Sequence, residues 1–212
     1  MSSASEDGRF SVVGSEHVHS GYAFDVRVDQ VRMPDGAVAA RDVIDHIGAV
    51  GVLAMDEDDH VVLVRQYRPA IGIHLTELPA GLLDQAGEPA LQTAQRELRE
   101  EAALAAAHWQ TLVDMYTSPG MSNEAIRIYL ARGLSPAADL GGFEAEHEER
   151  TMQVLRQPLH VLVGMVLAGD ITNGPAVAAI MAAEVARRDG WTGLRSATAP
   201  WPARPDRVPD PA

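Results

Sequence analysis

The 212-residue chain has no cysteine. That excludes disulfides, thiolate zinc sites and a cysteine nucleophile. Long apolar runs are also missing. The longest, Ile47–Met55 and Val161–Ala168, are too short to span a bilayer. The first ten residues, MSSASEDGRF, are polar and acidic and lack the apolar centre of a signal peptide. The expectation is a cytoplasmic protein. Positive charge is scarce: 17 Lys and Arg against 30 Asp and Glu give a net charge of −13. This argues against nonspecific binding to nucleic acid or an anionic membrane. An anionic small substrate remains compatible, because a bound divalent cation reverses the local field. The eight histidines show no His-Glu-x-x-His spacing, and the chain has no internal repeat. His17 and His19 alternate along an expected strand, which fits exposed or packed side chains.

Hydrophobic residues make up 46% of the chain, enough for an ordinary core. The length suits one domain or one domain with a small appendage. Residues 1–9 read as a tail. Phe10–Val28 has a β-like pattern, and Pro34-Asp35-Gly36 marks a turn between Val31-Arg32-Met33 and Val38–Ile44. A second hairpin is expected from Ala49–Met55 and Val61–Tyr67 around the polar turn Asp56–His60. Leu75–Leu83 reads as extended, Trp109–Tyr116 and Ala125–Ala131 as strands, and 135–150 as an irregular acidic loop. Trp109 reads as a core residue. Leu159–Ala168 and Ala176–Arg188 read as helices. The segment 191–212, with Pro200, Pro202, Pro205, Pro209 and Pro211, reads as a Pro-rich mobile tail. Strands, one helix, strands and then helices indicate an α+β fold.

The most informative stretch is Gly81–Leu104. A helix is expected from near Glu88, with Pro89 in its first turn and Leu91, Ala94, Leu98 and Ala102 forming an apolar stripe. At 3.6 residues per turn, Glu97 and Glu101 stack and Glu100 lies beside them. Like charges so placed destabilise an isolated helix, so this face is either well solvated or holds a cation.

Gly81, Glu88 and Arg96-Glu97-Leu98-Arg99-Glu100-Glu101 together resemble the Nudix box, the signature of hydrolases acting on nucleoside diphosphates linked to another moiety. The likeness extends over roughly residues 10–185 to the ADP-ribose pyrophosphatase branch, especially its actinobacterial members. It is carried by Gln66-Tyr67-Arg68, Glu77-Leu78-Pro79-Ala80-Gly81, Pro119 and the acidic run Glu144-Ala145-Glu146-His147-Glu148-Glu149.

The resemblance implies a Nudix α/β/α sandwich with a mixed sheet over residues 47–190, preceded by an antiparallel dimerisation unit over 10–46. It implies Mg²⁺, with Mn²⁺ as a substitute, and hydrolysis of ADP-ribose to AMP and ribose 5-phosphate by a homodimer. The metal ligands it implies are the Ala80 carbonyl, Glu97, Glu100 and Glu101. Glu149, then Glu148, is the expected general base, with Glu100 assisting the chemistry. Arg68, Glu77 and Pro119 are expected at the substrate, with Glu77 equally able to pair with a basic neighbour. Gly81, Glu88 and Arg96 are expected to hold the motif in shape. Two alternatives stay open: another substrate of the same class (an NDP-sugar, a dinucleotide or a flavin nucleotide), or a weakly catalytic domain that binds ADP-ribose.

Two departures from the family pattern matter. Six residues, one more than usual, separate Gly81 from Glu88, and Gly87 is placed to absorb the extra one. The glycine expected after the helix is Ala103. Either the helix ends there under mild strain or it runs on into the helix-forming Leu104-Ala105-Ala106-Ala107.

Overall fold

A computed structural model describes residues 9–139 and 151–204. Three strands, β1 (Ser11–Ser20), β2 (Phe24–Arg32) and β3 (Val38–His46), form an antiparallel sheet by themselves. The stretch 10–28 thus contains a break at 21–23, where the chain turns from β1 into β2. The expected turn at Pro34-Asp35-Gly36 joins β2 to β3, and Gly36 has φ +88°.

The second sheet is mixed. Its strands run in the order β10 (Gln153–Pro158), β5 (His60–Arg68), β4 (Ala49–Met55), β9 (Ala125–Pro136), β8 (Leu104–Tyr116) and β11 (Arg195–Ser196). β6 (Ile73–Glu77) pairs with β5, and β7 (Ala80–Leu82) pairs with β4. The β4–β9 pair is parallel, while every other pair is antiparallel.

All seven residues of β4 are buried, because helices cover both faces of the sheet. Alternation divides them. Val50, Val52 and Ala54 face α1 (Ala90–Ala102), packing with Ala94 and Leu98. Ala49, Leu53 and Met55 face the other layer, built from α2 (Leu159–Ala168) and α3 (Gly174–Arg188) through Leu159, Leu162 and Ile180. The result is the expected α+β architecture, with an α/β/α sandwich behind an antiparallel β unit. Trp109 is partly buried in the α1-side core, edge-on to Tyr129 at 6.2 Å between centroids.

The end of α1 resolves the choice left open by the sequence. The helix stops at Ala102, and Ala103 takes the left-handed conformation at φ 53°, ψ 35°. Its N–H donates to the Arg99 carbonyl at 3.0 Å. Leu104-Ala105-Ala106-Ala107 then enters β8, with Leu104 opposite Pro136 and Ala106 opposite Leu134. Ladder pairing overrides the helix propensity of the alanines. A Cβ in the left-handed region costs about 1 kcal/mol. Ala103→Gly is therefore expected to stabilise the protein by up to about 1 kcal/mol, read as a Tm rise of roughly 2–4 °C. An unchanged or lower Tm would mean that the left-handed turn costs nothing here.

The C-terminal segment departs from the tail expected over 191–212. As far as residue 204 it lies against the domain. β11 pairs with β8, and Trp201 packs on the α1-side core. The nearly buried Arg127 explains why. It forms a two-point pair with Asp114 at 2.7 and 2.9 Å and donates to the carbonyls of Ala199 and Pro200 at 2.7 and 3.0 Å. The Arg127 guanidinium also stacks on the Trp201 ring, 5.0 Å from its centroid. Proline lacks an N–H, but its carbonyl still accepts, so a proline-rich strap can be held by a buried cation.

Candidate metal centre

The site forms where β7 meets α1. β7 lies beside β4, with Gly81 opposite Val50 and Ala80 opposite Gly51. The chain then crosses a loop to the helix. Gly87 at φ +79° turns that loop, and the Glu88 N–H donates to the Gln85 carbonyl at 3.1 Å. The additional residue is thus absorbed in a tight turn at the position expected. Pro89 takes the N-cap place in extended conformation, one residue ahead of the helix proper.

Gly81 lies directly against Glu97. A Cβ on residue 81 would stand 2.1 Å from the Glu97 Cδ and Oε1 atoms. Only glycine leaves room for that carboxylate. One turn along α1, Glu101 Oε2 accepts from the Ala80 N–H at 2.9 Å and ties the helix to β7.

Arg96 is the hub. Its Nη1 donates to Glu97 Oε1 at 2.6 Å and to Glu100 Oε2 at 3.2 Å. Its Nε and Nη2 donate to the two oxygens of Glu88 at 3.4 and 3.3 Å. Glu88 Oε2 also accepts from the Thr93 hydroxyl at 2.9 Å, which fixes the loop to the first turn of the helix. These contacts tie the loop, the first turn of the helix and its acidic face together through Arg96 and Glu88. Burial pushes the Glu97 carboxyl up to about 7. Arg96 pulls the other way, and Glu100 and Asp84 add to the rise. For Arg96, burial disfavours the charge, but Glu88, Glu97 and Glu100 together hold its pKa above the ordinary arginine range.

The other residues singled out in the sequence fall into separate places. Arg68 and Glu77 pair with each other across β5 and β6, Nε to Oε1 at 2.8 Å and Nη2 to Oε2 at 2.6 Å. Glu77 is buried, whereas the Arg68 side chain is 46% exposed. Pro119 lines a cavity of about 410 Å³ with Val31, Arg41, Tyr116, Met121 and Asn123. β3 fixes this loop: the Ile44 N–H donates to the Met121 carbonyl at 2.8 Å, and Asn123 Nδ2 donates to Asp45 at 2.6 Å. Glu148, Glu149 and most of the acidic loop lie outside the described residues.

Residues 45–162, more than half of the chain, match the family model described as NUDIX domain. The chain belongs to the Nudix family. It is 45% identical over 196 residues to an ADP-ribose pyrophosphatase of Mycobacterium tuberculosis, covering 92% of this chain and 93% of that one. It is 32% identical over 142 residues to an ADP-ribose pyrophosphatase of Bacillus subtilis, covering 67% and 76%. The fold is similar to that in a crystal structure of an ADP compounds hydrolase, with a TM-score of 0.71 at 22% identity over 86% of this chain and 96% of that one.

Nudix enzymes use a divalent metal, and the acidic face of α1 is the donor set that would receive it. Its chemistry fits. Glu97, Glu100 and Glu101 offer only hard oxygen ligands, as Mg²⁺ prefers. The bare Gly81 gives Glu97 space in which to lie. Yet among the described residues no three acidic or imidazole groups converge on one point. The Arg96 guanidinium holds Glu97 and Glu100 instead.

Three contributors escaped the sequence reading. Thr93 sits in the first turn and could have been found as a hydroxyl five residues after Glu88. Asp84, in the loop, has an oxygen 3.6 Å from Arg96 Nη2. Tyr22 donates to the other Asp84 oxygen at 2.7 Å from 62 residues away, and no local pattern announces it.

Proposed function

We propose that this Nudix hydrolase cleaves the diphosphate bond of ADP-ribose, giving AMP and ribose 5-phosphate, with Mg²⁺ as the working metal and Mn²⁺ as a substitute. The observation that carries the reading is the box itself. Gly81, Glu88, Arg96, Glu97, Glu100 and Glu101 form one connected cluster, in a chain aligned nearly end to end with an ADP-ribose pyrophosphatase.

In the reaction, a water oxygen bonds to one phosphorus, the bridging P–O bond breaks, and the departing phosphate keeps the electron pair. Glu97 and Glu101 are the principal metal ligands, with Glu100 and the Ala80 carbonyl completing the set. The metal, when bound, neutralises the diphosphate oxygens and lowers the pKa of water. Before the metal binds, Arg96 and Glu88 hold the ligand side chains near the site. Glu149, or failing that Glu148, takes the proton from the attacking water. Arg68 engages a substrate phosphate through its exposed side, with Glu77 fixing its guanidinium plane. Pro119 shapes the substrate loop.

We further propose a cytoplasmic homodimer assembled through the N-terminal β unit. Every residue of β1 is exposed, including Val12, Val13 and Val18, and Phe10 and Tyr22 flank it at 70% and 78% exposure. Apolar surface on that scale supports a protein partner, here a second copy.

Incubation with ADP-ribose and Mg²⁺ should release AMP and ribose 5-phosphate, and EDTA should stop the release. A panel with NDP-sugars, dinucleotides and flavin nucleotides tests the substrate. Release from another panel member but not from ADP-ribose would overturn the assignment, and tight ADP-ribose binding without AMP would make the protein a binder. Light scattering should give twice the 22.7 kDa chain mass.

A further inference from the structure

The box leaves Asp84 without a role, and its surroundings are unusual. Oδ2 accepts from the Tyr22 hydroxyl at 2.7 Å. Oδ1 is buried and has no hydrogen-bond partner. A buried carboxylate oxygen left without a donor is costly. The cation it faces is Arg96, with Nη2 at 3.6 Å, just beyond hydrogen-bonding distance. On its other side the same guanidinium binds Glu97 and Glu100 through Nη1, at 2.6 and 3.2 Å. One arginine is therefore shared among Asp84, Glu88, Glu97 and Glu100, and it leans toward the two that serve as metal ligands.

We propose that Asp84 is a positioning residue that receives Arg96 when Glu97 and Glu100 turn from it to a divalent cation. The inference rests on the metal site of the proposed function. A guanidinium bound to two ligand carboxylates competes with the cation for them. If they leave, Arg96, whose side chain is only 17% exposed, loses two of its partners. A buried charge stripped of partners costs several kcal/mol unless another acceptor takes over. Glu88 already accepts from Nε and Nη2. Asp84 Oδ1 is the acceptor with spare capacity, and a movement of under about 1 Å brings Nη2 to it. The Tyr22 hydroxyl donates to the opposite oxygen, which leaves Oδ1 turned toward Arg96. Tyr22 stands in the turn between β1 and β2, which ties the N-terminal sheet to the metal ligands.

The test is calorimetry of Mg²⁺ and Mn²⁺ binding to full-length, metal-free protein, with no substrate present. Asp84→Asn keeps the shape and the hydrogen bond from Tyr22, and should weaken metal binding roughly ten- to a hundredfold. Tyr22→Phe should weaken it in the same direction by less, and carries the test if the Asp84 variant does not fold. Removing any negative charge near a cation lowers affinity, so a second readout is needed. The Arg96 Nε–H resonance, assigned by its loss in Arg96→Lys, should shift when Mg²⁺ is added to the wild type and shift much less in Asp84→Asn. Wild-type affinity in Asp84→Asn, or an Arg96 resonance unmoved while Mg²⁺ binds to the wild type, overturns the inference and leaves the proposed function standing. No Mg²⁺ or Mn²⁺ binding to the wild type overturns the proposed metal site itself.

Discussion

Alanine at position 81 is expected to leave the fold standing and to remove most of the activity. Gly81 lies in β7 and is not among the glycines with positive φ, so its backbone accepts a side chain. The obstacle is Glu97, whose Cδ and Oε1 would lie 2.1 Å from the new methyl group. Those atoms end a flexible side chain, so the clash relaxes by moving the carboxylate rather than the sheet. The stability cost should be about 1 kcal/mol, at the low end for overpacking, or roughly 2–4 °C in Tm. The functional cost is larger, because the carboxylate must move by at least about 1 Å to reach ordinary contact distance. Misplacement on that scale lowers turnover by roughly a hundredfold. Thermal melts and AMP release, measured on the same preparation, check both halves. Activity within a few-fold of wild type would mean that the position of Glu97 is not critical. A collapse of Tm would mean that the strand, not the carboxylate, yields.

This separation also bears on what the sequence could and could not reveal. Gly81, Glu88 and Arg96 through Glu101 lie along one short strand, one loop and one helix that follow each other in the chain, so fixed spacing carries nearly their whole geometry. Leu98 and Ala94 are buried for the same reason, as the apolar stripe of a helix can point only one way. The β5–β6 ladder sets Arg68 opposite Ile73 and Glu77 opposite Val64, so their pairing depends on the long Arg68 side chain reaching back along the ladder, which spacing in the sequence does not show. Propensity could not decide Leu104–Ala107, where four good helix formers make a strand because β9 supplies the pairing. Composition misled at Ala199–Trp201, where a proline-rich strap is held by Arg127 from 72 residues away. β10 lay just past a stretch read as an irregular acidic loop, and only its ladder with β5 defines it. Tyr22 and Asp84 belong with these, since their contact exists only once two sheets have been assembled.

Glutamine at position 97 is expected to make the metal-free protein more stable at neutral pH while abolishing turnover. In the fold, Glu97 holds its proton up to about pH 7, because burial outweighs the attraction of Arg96 and Glu100 adds repulsion. In the unfolded chain the proton leaves near the ordinary glutamate value, about 4.3. Between these two values the folded state binds the extra proton, so stability falls as pH rises through that window. This contribution is fully present below the ordinary glutamate range and lost above about pH 7. Glutamine resembles the neutral acid and cannot ionise. In EDTA, Glu97→Gln should therefore exceed the wild type only slightly near pH 5 and by much more near pH 8. The same substitution replaces a charged oxygen ligand with a weaker neutral one, so AMP release should fall by more than roughly a hundredfold. Mg²⁺ should raise the wild-type Tm at pH 8 far more than that of the variant, by linkage of binding to folding. A Tm gap that does not vary between pH 5 and pH 8 would mean that Glu97 ionises as readily in the fold as in the unfolded chain. The stabilised but inactive variant is the expected pattern because the ionised carboxylate is costly to bury without a divalent cation to receive it.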